Sequence, residues 1–158
     1  MKKIIFLFLM FSAIVFAEWK AGIAYLSNGD PLTTFTTYDL EGSGAYIYIG
    51  VNLEYDVSVV TMEHYLIKKK DSLYLVVIDN EGNDIDCHFH SDDISDYYIT
   101  VPVKRASVLT KMLYNGKSAI LINKKTGETL ATFDLKGIKQ IMQKHVGNSY
   151  WYKYKLND

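Results

Sequence analysis

Between Ala45 and Val59 every odd position is apolar: Ala45, Ile47, Ile49, Val51, Leu53, Tyr55, Val57 and Val59. The even positions between them, Tyr46, Tyr48, Gly50, Asn52, Glu54, Asp56 and Ser58, hold no aliphatic side chain. Successive side chains of a strand point to opposite sides of the pleat, so a period of two marks one dry face and one wet face. A helix would need apolar residues at steps of three and four, and these are absent. Fifteen residues are long for one strand. A bend or bulge is therefore expected near Gly50 or around residues 52–56.

The rest of the chain agrees with a β-rich fold. Short strands are expected over Lys20–Leu26 and Leu32–Tyr38, split by the turn Ser27-Asn28-Gly29-Asp30-Pro31. Leu73–Ile78 is a continuous apolar run, as in a central strand buried on both faces. After the turn cluster Asp79–Asn83, Ile85, Cys87 and Phe89 alternate with polar residues and complete a hairpin. Tyr97–Val103 alternates again, with Pro102 marking an edge or a strand end. Ser118–Ile122 and Thr129–Phe133 form a further hairpin, and the tail Tyr150–Tyr154 has the alternation of a last strand. Two helices are expected: Ala106–Tyr114, stopping at Asn115-Gly116, and a second capped by Asp134 with Ile138, Ile141, Met142 and His145 on one face. The fold class is mainly β: a single antiparallel β-sandwich or flattened barrel with two short helices, about nine strands in all.

The N-terminus has the pattern of an export signal. Met1-Lys2-Lys3 is positively charged, Ile4–Phe16 is apolar apart from Ser12, and Val15-Phe16-Ala17 supplies small residues at the −3 and −1 positions. The apolar run is short for a membrane span, so residues 1–17 are expected to be a signal peptide and residues 18–158 one domain. No other stretch is long and apolar enough to span a bilayer, so no membrane span is expected after cleavage. Periplasm and medium are both compatible with this pattern. Loss of Lys2 and Lys3 leaves 15 basic against 18 acidic residues, a net charge of −3. That balance offers no field for nucleic acid. A composition of 49% hydrophobic and 22% charged residues excludes a disordered chain.

One segment is dense in chemistry-bearing groups: Asp84-Ile85-Asp86-Cys87-His88-Phe89-His90-Ser91-Asp92-Asp93. On a strand Asp86, His88 and His90 would share a face, and two imidazoles with a carboxylate suit zinc or copper. The plainer reading is the solvated face of an amphipathic strand. Cys87 would point the other way, among apolar groups where a thiolate is disfavoured. Asp79–Asp86 has the composition of a calcium loop without its spacing, and Glu41-Gly42-Ser43-Gly44 precedes a strand and reads as a turn. No catalytic motif is present, and no catalytic residue is assigned. Thirteen tyrosines against one arginine point elsewhere. Tyr46 and Tyr48 lie on the polar face of the long alternating segment, and Tyr150, Trp151, Tyr152 and Tyr154 crowd the tail. Rigid amphipathic rings on a sheet face suit recognition of a protein or glycan.

The stretch from Lys104 to Val146 resembles a module of small exported bacterial proteins of the invasion-associated locus B type. The shared pattern is carried by Leu109, Met112, Gly116-Lys117, Ala119 to Ile122 and Phe133-Asp134-Leu135-Lys136-Gly137-Ile138. This chain lacks the paired cysteines common in that family and has Ile138 where a Phe is usual. The resemblance implies a periplasmic location and a β-sandwich, and it transfers no functional residue. The leading expectation is a non-enzymatic exported protein that binds a protein or glycan through tyrosines. A periplasmic metal-binding protein and a hydrolase whose site is assembled from residues distant in sequence remain as alternatives. When the full chain is expressed in a secreting bacterium, mass spectrometry of the exported product should find Glu18 as the first residue. Recovery of a product that keeps residues 1–17 would overturn the cleavage assignment.

Overall fold

A computed structural model describes residues 18–54 and 57–147. The expected signal peptide and the tail aromatic residues Tyr150, Trp151, Tyr152 and Tyr154 lie outside the described residues. Nine described strands form two open antiparallel sheets, which resolves the expectation in favour of a sandwich. The first sheet contains β1 (Lys20–Tyr25), β2 (Pro31–Tyr38), β3 (Tyr46–Asn52), β4 (Val57–Glu63) and β7 (Tyr98–Val101), in the order β1-β2-β3-β4-β7. The second contains β5 (Leu73–Asp79), β6 (Asp84–His88), β8 (Gly116–Asn123) and β9 (Thr129–Asp134), in the order β6-β5-β8-β9. Helix α1 (Val103–Asn115) carries the chain from the first sheet to the second, and α2 (Ile138–Val146) follows β9. No described helix is long and apolar enough to cross a membrane.

The long alternating segment is two strands. Asn52 pairs with Val57, so the chain reverses between them and β3 runs back along β4. The register sets Ile47 opposite Met62 and Ile49 opposite Val60, which places odd residues of β3 on the same face as even residues of β4. The dry face therefore changes parity at the reversal. Ile47, Ile49, Val51, Val60 and Met62 are fully buried, whereas Val59 lies on the other face, opposite Gly50.

Two helices help to keep this inner face dry. α1 packs on β4 of the first sheet and on β8 and β5 of the second, with Ala106, Leu109, Met112 and Leu113 buried. Its close approach to β4 leaves a polar contact in the core. Thr110 Oγ1 donates to the Ala106 carbonyl at 2.7 Å and meets Ser58 Oγ at 3.3 Å. α2 packs against β1, β2 and α1, burying Ile138, Met142 and Val146. Asp134 does not cap α2 as expected. It ends β9 and its carboxylate accepts the Lys136 N–H at 2.8 Å, while Gly137 enters the helix in the left-handed region. His145 is exposed, although its ring meets the edge of Phe35, and Val146 takes the buried position. β5 is an inner strand with only one dry face: Leu73, Leu75 and Val77 are buried, and Tyr74, Val76 and Ile78 are half-buried.

Gly116, at the junction of α1 and β8, is a glycine because of space. Its backbone is ordinary, yet a Cβ there would lie 2.6 Å from both Val77 Cγ1 and Leu135 Cδ1. Gly116→Ala is expected to destabilise the domain by about 1–3 kcal/mol through overpacking. A urea midpoint equal to that of the wild type would contradict the packing described.

Candidate functional site

The pairing of the first sheet assembles its outer face from residues far apart in sequence. Tyr38 on β2 pairs with Tyr46 on β3, Tyr46 with Glu63 on β4, and Glu63 with Tyr98 on β7. These four residues form one row across four strands at one end of the sheet. The adjoining row on the same face is Lys20, Thr36, Tyr48, Thr61 and Thr100. Of the tyrosines expected to bind, Tyr46 and Tyr48 stand on this outer face, both half-buried. Tyr38 and Tyr98, 48% and 40% exposed, were not anticipated and supply the accessible rings.

Local packing fixes the rings. Tyr38 and Tyr46 meet edge to face, with centroids 6.1 Å apart. Tyr46 donates its hydroxyl to the Glu63 carboxylate. Burial, then that hydrogen bond and the Glu63 charge, push the Tyr46 phenol well above its ordinary value, so it stays protonated. Burial raises the Tyr48 phenol as well. Gly50 makes room beside it, since a Cβ there would lie 3.4 Å from the Tyr48 ring, 3.3 Å from Leu32 and 3.1 Å from Val59.

Beyond the row, β4 runs into a buried histidine. His64 is 3% exposed, its Nδ1 accepts the Leu66 N–H at 3.0 Å, and the ring also hydrogen-bonds the Leu130 carbonyl of β9. It stacks on exposed Tyr65 with centroids 4.7 Å apart. Burial lowers the imidazole pKa, against the opposing pull of Asp39, the Leu130 carbonyl, Glu128 and Glu41. Next to Tyr98, Tyr97 takes a φ of 74°, a conformation few non-glycine residues adopt. It is held there by its N–H to the Ile67 carbonyl and by its own carbonyl, which accepts the His64 N–H, both at 3.0 Å. The Lys68 ammonium sits 4.9 Å from the Tyr97 ring centroid. Strained residues of this kind gather at functional sites.

The expected metal site is not assembled. β6 ends at His88, so the alternation that would put His90 beside it stops two residues too soon. His88 stacks on Tyr74 across the strand pair, with centroids 5.2 Å apart. His90 instead precedes a 3-10 turn at Ser91–Asp93, its N–H donated to the Asp93 carboxylate. Asp86 remains on the exposed side of β6. Among the described residues no three His, Cys, Asp or Glu side chains could hold a metal ion. Asp93 is claimed by Arg105 of α1 through two hydrogen bonds, which holds its carboxyl below the usual carboxylate range. Cys87 is half-buried against the core, as its alternation implied, and burial raises its thiol with Arg105 partly opposing. The Asp79–Asn83 cluster is a hairpin turn in which the Asp79 carboxylate accepts the Glu81 and Asn83 N–H groups, each at 2.8 Å. A cavity of about 380 Å³ opens between β8, β9 and α2, and Asp134 is the one carboxylate in its lining. That carboxylate already accepts the Lys136 N–H at 2.8 Å.

His64 gives the domain an acid sensitivity of known sign. The unfolded chain binds a proton at this residue at about pH 6.5, and the folded chain only at lower pH. Stability is therefore complete above that pH and declines as pH falls towards the folded pKa. His64→Gln should flatten the loss of urea stability between about pH 7 and pH 5, and an unchanged slope would contradict the assignment. Comparison with protein-family models, with curated proteins and with solved structures returns no match.

Proposed function

We propose that the chain is an exported interaction module that takes a protein or glycan partner on the tyrosine-bearing outer face of its first sheet. The observation that carries this reading is the row of Tyr38, Tyr46, Glu63 and Tyr98 across four hydrogen-bonded strands. Such rings lose little conformational entropy on binding and offer both an apolar face and a polar tip. Their backbones belong to paired strands of one sheet, so the surface is preorganised. The hydroxyls of Thr36, Thr61 and Thr100 in the next row extend it with donors and acceptors suited to a polar partner. The charged start, short apolar run and small-residue step over residues 1–17 support export, as does the resemblance of residues 104–146 to small exported bacterial proteins.

The double variant Tyr38→Ser/Tyr98→Ser removes the two exposed rings. Both are partly exposed, so the urea stability should fall by only about 1 kcal/mol for each, Tyr38 giving up its edge-to-face contact with Tyr46. Retention on a glycan array, or cross-linking to surface proteins of the producing cell, should weaken by about tenfold or more. A partner held equally well by the double variant would place the binding surface elsewhere.

A further inference from the structure

The charge pattern of the tyrosine row narrows the kind of partner, on the premise that this row is the binding surface. Glu63 is its only charged member, half-buried between Tyr46 on one side and Tyr98 on the other. Tyr46 takes one of the several lone-pair positions of the carboxylate, leaving others open. No lysine, arginine or histidine among the described residues lies within ion-pair distance of Glu63. The cation in the adjoining row, Lys20, stands on β1, three strands away, roughly 14 Å by ordinary strand spacing. At the same end of the sheet, Lys68 is already placed over the Tyr97 ring.

We propose that the row formed by Tyr38, Tyr46, Glu63 and Tyr98 recognises a cationic side chain of a protein partner, an arginine or lysine seated among the rings with its charge on Glu63. A carboxylate that has no countercharge among the described residues, set between Tyr46 and Tyr98 with Tyr38 beyond Tyr46, matches an organic cation: the ring quadrupoles attract it and the carboxylate neutralises it. A neutral sugar would match the rings but not the charge. Its hydroxyls would also compete with Tyr46 for Glu63 without replacing the missing positive charge. Arginine fits best, because its planar guanidinium stacks on a ring while bonding a carboxylate side-on.

The test is a titration of the protein with acetylated hexa-arginine amide, followed by NMR shifts of the tyrosine rings. A neutral hexaserine peptide and a neutral oligosaccharide serve as parallel probes. Hexa-arginine should shift Tyr38, Tyr46 and Tyr98 saturably, with affinity falling as salt rises. Glu63→Gln keeps an acceptor for Tyr46 and should weaken hexa-arginine binding by about tenfold, whereas Glu54→Gln, at the opposite end of the strands, should leave it unchanged. Equal losses in the two variants, or shifts spread away from the row, would reduce the effect to general attraction by net charge and overturn the proposal. Oligosaccharide binding at the row that is indifferent to Glu63→Gln, without arginine binding, would overturn the cation while preserving the tyrosine surface. Binding of none of the probes at the row would overturn the cation as well, and only loss of the natural partner in Tyr38→Ser/Tyr98→Ser bears on the surface itself.

Discussion

The inner face of the first sheet must be kept from water, and most of the architecture follows from that. Phe35, Ile47, Ile49, Val51, Val60, Met62 and Ile99 present a continuous apolar layer whose burial drives the fold. Among the described residues the second sheet has one strand fewer than the first. The helices supply further cover, α1 against β4 and α2 against β1 and β2. Arg105 and Asp93 then tie the start of α1 to the turn after β6. The loop after β2 joins the sheets at another point, where the Leu40 N–H reaches the Thr132 carbonyl at 2.8 Å and Glu41 accepts the Thr132 N–H at 2.9 Å.

Drying one face determines what the other can be. In a pleated strand the residues between buried positions have nowhere to go but outward. Tyr46 and Tyr48 are outward because Ile47 and Ile49 are inward, and Tyr98 is outward because Ile99 is inward. The outer tyrosine face and the core are thus two readings of one pattern. A one-residue slip in any of these strands would exchange them.

Local features of this pattern were legible in the sequence, and long-range ones were not. The alternation identified the strand structure of Tyr46–Asn52 and of the residues from Val57 on, and put Tyr46 and Tyr48 on the polar side. It offered a bend around residues 52–56 as one choice but not the full reversal between Asn52 and Val57, because apolar odd positions continue straight through and no glycine or proline marks the turn. Parity alone could not show that the dry face changes there. Tyr38, Glu63 and Tyr98 were missed for a related reason: only the register of three strand pairs makes them neighbours. That Thr36 and Tyr38 share the outward side is visible only once Phe35 and Thr37 are known to be buried, and in sequence Thr33-Thr34-Phe35-Thr36-Thr37 gives little contrast. The Asp86, His88 and His90 reading assumed a strand two residues longer than β6, and strand ends are where pattern carries least information.

The tyrosine row has no existence in any single strand or hairpin of the chain. Its members span residues 38 to 98 and come from four strands, so each is positioned only after the neighbouring pairings are complete. A partner gripping the row would draw its binding energy from the native state alone and return it as added resistance to unfolding. The surface would then act as a checkpoint on its own assembly: a chain with one strand out of place presents scattered phenols, and the partner passes it by.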